Sequence, residues 1–326
     1  MKACAPRLRW INYGRSNKPM NDSSATSAVG LGLDAGGTQT RWAIADTLGN
    51  IVADGAVAGI TALQLNTNDG RAHIRSALEE IAKNFGGDGH NISLLRVCAG
   101  VTGLDERDER LCTLIGEALN IAPTAVSVHS DIDIAYRDLF LPGEGYVVYA
   151  GTGSIAAFID EDNNFHRAGG RGVLLDDGGG GFWIAREALR HIWRLEDEHP
   201  GAWRDSPMAV NMFKHIGGSD WSFSRQFFYG RERGDIGKLA IAVAASANDD
   251  VVARNILCQA GIELARLGNA MINRFGVRPI ALAGRAAILH SAIEETMRAA
   301  LPSAAQLKVR VSEAHVAAAR IAAKST

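Results

Sequence analysis

The chain has 326 residues, 47% of them hydrophobic and 21% charged, and its formal net charge is −2. This near-neutral balance gives no reason to expect nucleic acid or an anionic membrane as a partner, and no apolar run reaches the length of a transmembrane helix. The four cysteines stand far apart without a CxxC pair, so we expect a reducing cytoplasmic location and neither disulfides nor a zinc site.

The first half of the chain predicts three consecutive strands, followed by helices that alternate with two further strands. Residues 1–27 precede this pattern and lack the apolar segment of a signal peptide, so we predict a disordered extension, with Met20 as an alternative start. The predicted strands are 29–33, 41–45, 51–57, 94–99 and 125–129, and the predicted helices are 70–85, 105–119 and 131–140.

The pattern then restarts, which at this length predicts two domains with a cleft between them. The predicted strands are 146–150, 154–159, 165–168, 279–283 and 307–311. Two helices are predicted over 236–247 and 251–275, and two more are predicted to begin at 182 and 286. We predict an N-terminal domain over 28–137 and a second domain over 138–312 with an insertion at about 195–235. A terminal helix over about 313–326 is expected to pack back on the first domain.

Two similar turns open the two halves. The first, "DAGGTQT", carries Asp34, two glycines and two threonines between strands, and the second, "AGTGS", follows the strand 146–150. Such residues can align N–H and O–H donors on a phosphate chain, and a carboxylate such as Asp34 can hold Mg²⁺ directly or through water. Each turn alone is also compatible with an ordinary hairpin.

Two further stretches lie where a strand meets a helix. Asp131 in "SDIDIAY" is either an N-cap or the base that accepts a hydroxyl proton in phosphoryl transfer, with Asp133 a weaker candidate for that base. Gly284 in "LAGRAAIL" offers a wall without a side chain and a helix N-terminus for a nucleoside, or an ordinary turn. A P-loop, a Rossmann fingerprint and a hydrolase elbow are all missing from the sequence.

Taken in order, these stretches resemble the N-acetylglucosamine kinase and BadF/BadG ATPase family of the sugar kinase, Hsp70 and actin superfamily. The bacterial glucosamine kinase-like members are the most similar. The resemblance covers residue 29 to the end. The matched stretches are "LDAGGTQTRWAIAD", "AGVTG" at 99–103, "SDIDIAY", "AGTGS", "GGRGVLLDDGGGGFWIAREAL" at 169–189, "LAGRAAIL" and "EAHVAAARIA".

The resemblance implies an α/β fold of two ribonuclease H-like (actin-like ATPase) domains, each with a mixed five-stranded sheet, around a central cleft. It implies transfer of the γ-phosphoryl group of ATP to an amino sugar, at its 6-hydroxyl, by a cytoplasmic homodimer that uses Mg²⁺. Asp131 matches the catalytic base and Asp34 the residue that organises Mg²⁺. The matched ATP-binding residues are Gly36, Gly37, Thr38, Thr40, Gly151, Thr152, Gly153 and Gly284. The matched sugar-binding residues are Thr102, Gly103, Asp131, Gly170, Arg171 and Asp177.

The chain departs from the family pattern at two places. Where relatives often read GDEGSG, this chain has Asp176-Asp177 followed by glycine at 178–181, and Ala62 stands where relatives commonly have a sugar-contacting asparagine. N-acetylglucosamine, glucosamine, N-acetylmuramate-type sugars and a plain hexose therefore stay open as acceptors. Two other functions on the same fold also stay open: a non-catalytic sugar or nucleotide sensor, and an activator ATPase of a dehydratase or reductase.

Overall fold

The computed structural model describes residues 27–83, 92–104 and 106–324. Apart from Ser27, the extension predicted for residues 1–27 lies outside these ranges. The chain divides into two units, residues 1–138 with 313–326 and residues 139–312. Within the described ranges no helix combines the length and the apolar character that a membrane crossing requires.

The first unit is a five-stranded mixed sheet with helices on both faces. Its sheet order is β3-β2-β1-β4-β5, in which β1 pairs antiparallel with β2 and parallel with β4. The strands are β1 Ser27–Ala35, β2 Gln39–Asp46, β3 Ile51–Ala58, β4 Ile92–Val101 and β5 Val126–Ser130. The helices are α1 Asn68–Ala82, α2 Glu109–Leu119, α3 Asp131–Leu139 and α11 Ala314–Ala323. Short 3₁₀ turns cover Ala62–Asn66 and Pro123–Ala125.

The second unit repeats this topology, since its order β10-β9-β6-β7-β8 is the same arrangement of parallel and antiparallel pairs. The strands are β6 Tyr146–Ala150, β7 Ser154–Ile159, β8 Phe165–Gly169, β9 Ile280–Ala283 and β10 Leu307–Val309. The helices are α4 Gly181–Glu198, α5 Pro207–Ile216, α6 Trp221–Gly230, α7 Arg233–Gly237, α8 Ala240–Ser246, α9 Val251–Phe275 and α10 Ser291–Ala300, with a 3₁₀ turn over Ala202–Asp205. The predicted fold class, two mixed five-stranded α/β sheets, is confirmed.

Two helix predictions in the second unit differ from the structure. The helix predicted over 236–247 is two short helices, α7 and α8. The helix predicted from 286 begins only at Ser291, where the His290 side chain caps α10 by accepting from the amide of Ala292. The chain between Gly284 and His290 turns instead, because the amide of Ala286 donates to the Ala150 carbonyl on β6 at 2.9 Å.

The terminal helix α11 lies directly against the first sheet. Its alanines form buried clusters with β2, β4 and α3. Gly30 and Gly32 of β1 make this approach possible, since a Cβ at Gly32 would lie 2.1 Å from the amide nitrogen of Ala319. The Asp138 carboxylate accepts from the amide of Glu313 at 2.7 Å and so joins the end of α3 to the start of α11.

We predict that Gly32→Ala lowers the free energy of unfolding by about 3 kcal/mol or more, because the new methyl group would overlap the α11 backbone. Gly230→Ala is the matched control, since a Cβ there meets nothing within 4 Å, and its effect should stay within about 0.5 kcal/mol. Urea unfolding of the two variants measures the difference. Equal stability of the two would show that α11 does not need this close contact.

Asp250 is the most heavily bonded buried carboxylate of the second unit. It caps α9 by accepting from the amides of Val252 and Ala253, and it also accepts from the Ser206 hydroxyl and the Met208 amide. Burial is the largest single influence on the pKa of Asp250 and raises it, but the four hydrogen bonds together outweigh burial and leave the pKa lowered.

A lowered pKa means that the folded protein keeps the Asp250 charge to lower pH than the unfolded chain does. We therefore predict that Asp250→Asn costs roughly 2–4 kcal/mol of unfolding free energy at neutral pH. The difference from the parent protein should shrink as the pH falls from about 4 through the pKa of the folded state. Urea unfolding at several pH values measures it, and a difference that grows on acidification would contradict the assignment.

Candidate active site

Three predicted site residues of the first unit lie at one edge of its sheet. β1, β4 and β5 run parallel, and their ends are in register, with Ala35 beside Val101 and Val101 beside Ser130. Because the carboxyl ends of parallel strands meet at one edge, the residues that follow them are brought together there. Asp34 at the end of β1 therefore shares this edge with Thr102 and Asp131.

Asp131 is the first residue of α3, and both of its carboxylate oxygens are held. The Thr102 hydroxyl donates to Oδ2 at 2.6 Å, and the amide of Ile132 donates to Oδ1 at 2.8 Å. Thr102 is itself fixed, because its amide donates to the Ala35 carbonyl at 2.9 Å. A partly exposed carboxylate with one donor on each oxygen keeps a lone pair free to accept a further proton.

Thr102 thus contacts Asp131, a role that the sequence did not indicate. Gly103 follows with a φ of +81°, which turns the chain away from the sheet. Asp133, the alternative candidate, is bound elsewhere, since the Arg137 guanidinium donates to it at 2.6 Å.

Asp34 is half-buried among other charges. Burial raises its pKa, Arg41 lowers it, and the nearby carboxylates of Asp131 and Asp138 raise it further, so the net shift is upward. Arg41 is its register partner on β2, with Nη2 3.6 Å from Oδ2. A divalent cation would offset the negative charges of Asp131 and Asp138, whose influence on this pKa adds to that of burial.

The donor set fits Mg²⁺ bound mainly through water. In the described part of the chain no three metal-ligating side chains form a group, and Mg²⁺ commonly uses one or two carboxylates and keeps its water. Asp34 is the residue that would hold the ion, and the ion would supply positive charge beside transferring phosphoryl oxygens.

The loop between β1 and β2 presents three of its four predicted phosphate contacts. Gly36, Gly37 and Thr38 lie in an exposed turn that closes with the Gly36 amide donating to the Gln39 carbonyl. Thr40 differs from the prediction. It is fully buried, and its hydroxyl accepts from the amide of Ile60 at 3.0 Å, so it holds the following turn and is out of reach of a ligand.

The corresponding loop of the second unit, residues 151–153, is braced by the start of α4. The amide of Gly181 donates to the Gly151 carbonyl, and that of Phe182 to the Thr152 carbonyl, at 2.9 and 3.0 Å. A Cβ at Gly180 would lie 2.7 Å from the carbonyl carbon of Gly153. The glycine run therefore allows two backbone segments to touch.

The glycine that stands where relatives have glutamate faces a side chain and not backbone. A Cβ at Gly178 would lie 2.8 Å from Oε2 of Glu263 on α9. The side chain of Glu263 takes that space, and its carboxylate also pairs with Arg266. The departure at 178–181 is thus part of the packing of this chain.

Asp177 lies between two loops that were both predicted to bind ligands. It is buried, with a φ of +53°, and its Oδ1 accepts from the amide of Gly172 at 3.1 Å. A Cβ at Gly153 would lie 2.1 Å from its other oxygen. Burial raises the pKa of Asp177, against the hydrogen bonds from the loop amides. Asp177 thus joins these two loops, and its role as a sugar contact stays a prediction.

The remaining predicted sugar residues, Gly170 and Arg171, lie in the same loop. Gly170 has a φ of +61° and packs on Ile155, and Arg171 is exposed.

Gly284 follows β9 and lies against the end of β6. Its φ is +97°, and a Cβ would lie 2.3 Å from the Ala150 carbonyl oxygen. Because β9 pairs with β6, Gly284 stands beside the 151–153 loop and forms a flat wall there. The predicted helix N-terminus is absent at this point, since α10 begins seven residues later.

A family profile described as the BadF/BadG/BcrA/BcrD ATPase family matches residues 31–318. The chain belongs to this ATPase family. Asp34, the loop 36–40, Asp131, the loop 151–153 and Gly284 all lie within the matched range.

The named relatives share less than a third of their residues with this chain over the matched segments. The chain is 28% identical over 187 residues to an N-acetyl-D-glucosamine kinase of Dictyostelium discoideum, covering 52% of this chain and 55% of that protein. It is 26% identical over 172 residues to an N-acetylmuramic acid/N-acetylglucosamine kinase of Clostridium acetobutylicum, covering 52% and 54%. The match thus spans about half the length of these relatives.

Among solved structures, the fold is similar to that of a Chromobacterium violaceum protein assigned as an N-acetylglucosamine kinase. The TM-score is 0.68 at 21% identity, over 93% of this chain and 100% of that one.

We predict that Gly284→Ala destabilises the protein by about 3 kcal/mol or more, because the substitution adds both backbone strain and a clash with Ala150. Gly172→Ala is the matched control. Its φ of +92° is similar, but a Cβ there meets nothing, so we expect only the strain of about 1 kcal/mol. Urea unfolding compares the two, and equal losses would argue against close packing at Gly284.

Proposed function

We propose that this chain is an ATP-dependent kinase that transfers the γ-phosphoryl group to a hydroxyl of an amino sugar such as N-acetylglucosamine or glucosamine. The 6-hydroxyl is the proposed acceptor position. The observation that carries the proposal is the carboxylate of Asp131, fixed by Thr102 and Ile132 at the carboxyl edge of the first sheet. Family membership and the names of the relatives support it.

In this proposal each unit has its own set of functional residues. The first unit supplies Asp131 as base, Asp34 for Mg²⁺, and the turn 36–38 for phosphate, in which the amides of Gly37 and Thr38 donate while that of Gly36 closes the turn. The second unit supplies the braced loop 151–153 for phosphate and the wall at Gly284 for the nucleoside. Phosphoryl transfer depends mainly on position and charge, which suits a site built from fixed backbone and carboxylates.

Asp131 accepts the hydroxyl proton of the sugar as the hydroxyl oxygen attacks the γ-phosphorus. The new O–P bond forms as the bond from phosphorus to the β-phosphate oxygen breaks, and ADP leaves with that electron pair. The donated hydrogen bonds from Thr102 and Ile132 hold the carboxylate toward the attacking oxygen. They also limit its rotation, so less orientational freedom is lost in reaching the transition state.

The buried thiols favour the kinase over the activator ATPase. Cys98 and Cys112 are fully buried, and burial raises the pKa of Cys98 to about 11 and that of Cys112 above its usual range. A cluster that bridges two subunits needs cysteines at the surface, and both of these are enclosed in core clusters of the first unit. We further propose a cytoplasmic homodimer, as the family resemblance implies.

We predict that Asp131→Asn lowers kcat by about 10²–10⁴, the usual contribution of a general base, with little change in ATP binding. Asp133→Asn is the matched control on the same helix and should stay near the parent activity. The activity of both variants is measured by ADP release from Mg-ATP. The acceptors tested are glucosamine, N-acetylglucosamine, N-acetylmannosamine, N-acetylmuramate and glucose. Sugar-dependent turnover that survives in Asp131→Asn would refute the assignment. ATP binding without turnover on any sugar would favour a sensor.

Thr102→Val, which removes only the donated hydrogen bond, should lower kcat by roughly tenfold or more. Thr102→Ser keeps the hydroxyl and should restore most of the activity. The same assay of ADP release measures both variants. If valine and serine behave alike, the Thr102 hydroxyl does not position the base.

A further inference from the structure

Leu63 is an exposed apolar side chain on a turn whose backbone is held by hydrogen bonds. It lies in the 3₁₀ turn Ala62–Asn66, and 61% of its surface is exposed. The Gln64 side chain accepts from the amide of Thr61 at 2.9 Å, and the amide of Ala62 donates to the Thr102 carbonyl at 3.0 Å. The turn is therefore tied to the corner that carries Thr102.

The turn contacts the residues that follow β4 on one side and the first loop on the other. Cγ of Leu63 lies 3.8 Å from where a Cβ of Gly103 would be, and Gly103 follows the Thr102 that binds Asp131. The methyl group of Thr61 lies 3.6 Å from the corresponding point at Gly37. Because Gly103 has no side chain, nothing from that residue covers the leucine.

Exposed leucines are common and need no explanation when they are scattered. Leu48, which is 86% exposed, is such a case, since it lies in the β2–β3 turn at the opposite end of the strands from Asp34. Leu63 differs in its place, beside the residues that would meet the acceptor. A hydroxyl or ammonium group placed against Leu63 would lose hydrogen bonds to water and gain none from the leucine. A hydrocarbon group there would bury apolar surface, which is favourable.

Resting on the proposed kinase function, we infer that Leu63 is a specificity-determining residue that forms an apolar wall beside the base. It selects acceptor sugars that carry a hydrocarbon-bearing substituent, such as an acyl chain on the amine, over the free amine. Negative charge at Asp34, Asp131 and Asp138 acts in the opposite direction by attracting a free ammonium group, so the two effects can be separated by experiment.

The experiment uses glucosamine and its N-acetyl, N-propanoyl and N-butanoyl derivatives with the full chain. Each is measured twice, as Kd by calorimetry without ATP and as kcat/KM in the assay of ADP release. Each added methylene that packs on Leu63 should improve both by about fourfold, equivalent to about 0.8 kcal/mol, until the space is filled. Leu63→Asn should remove most of the gain per methylene in both Kd and kcat/KM. Leu48→Asn is the matched control and should keep the slope of the parent protein.

The two readouts separate this inference from the proposed function. Binding that follows the acyl series without any turnover would overturn the kinase and leave the Leu63 contact standing. Turnover with an equal slope in Leu63→Asn and Leu48→Asn, or a parent protein that prefers glucosamine, would overturn the role of Leu63 and leave the kinase standing. Failure to bind any member of the series would overturn both.

Discussion

The register of three parallel strands decides what the first unit can do. Because β1, β4 and β5 end side by side, an acid at the end of β1, a hydroxyl after β4 and an acid after β5 meet at one edge. The bond from Thr102 to Asp131 follows from that register, as does the influence of Asp131 on the pKa of Asp34. A shift of one strand by a single residue would turn these side chains to the other face and separate them.

The second unit uses the same topology for a different purpose. The positions that follow β4 and β9 correspond in the two sheets, and they hold Thr102 in one and Gly284 in the other. Where the first edge carries acids, the second carries backbone that touches backbone, at Gly153 with Gly180 and at Gly284 with Ala150. One topology thus carries a charged edge in the first unit and a side-chain-free edge in the second, which the proposed kinase would use for proton transfer and for the nucleotide.

Sequence reasoning predicted the strands well, because alternation and apolar runs report directly on sheet burial. It failed where local pattern and tertiary contact disagree. The alanine-rich stretch after Gly284 has good helix propensity, yet the bond from Ala286 to Ala150 holds it in a turn until His290 provides a cap. Propensity is a weak prior, and a single long-range hydrogen bond to a neighbouring strand overrides it here.

The candidate site shows a second limit of sequence reasoning. Thr40 and Asp177 have the chemistry expected of ligand contacts, but the chain itself uses both, one to hold Ile60 and the other to hold Gly172. Residue type alone cannot say whether a donor or acceptor is already satisfied. The pairing of Arg41 with Asp34 could have been predicted from the sequence. In a hairpin that pairs Ala35 with Thr40, Arg41 lies opposite Asp34.

The exposed leucine beside the base illustrates the reverse case. A buried polar residue such as Thr40 is engaged by the chain itself, whereas an apolar residue that the chain leaves uncovered is exposed to a ligand. Ala62, where relatives commonly have an asparagine, offers no side-chain hydrogen bond, and Leu63 beside it offers hydrocarbon. The missing side-chain hydrogen bond at position 62 and the exposed hydrocarbon of Leu63 have the same effect on which acceptor is preferred. In the proposed kinase both would lower the preference for a bare polar group on the acceptor and would leave recognition to a substituent that can exclude water.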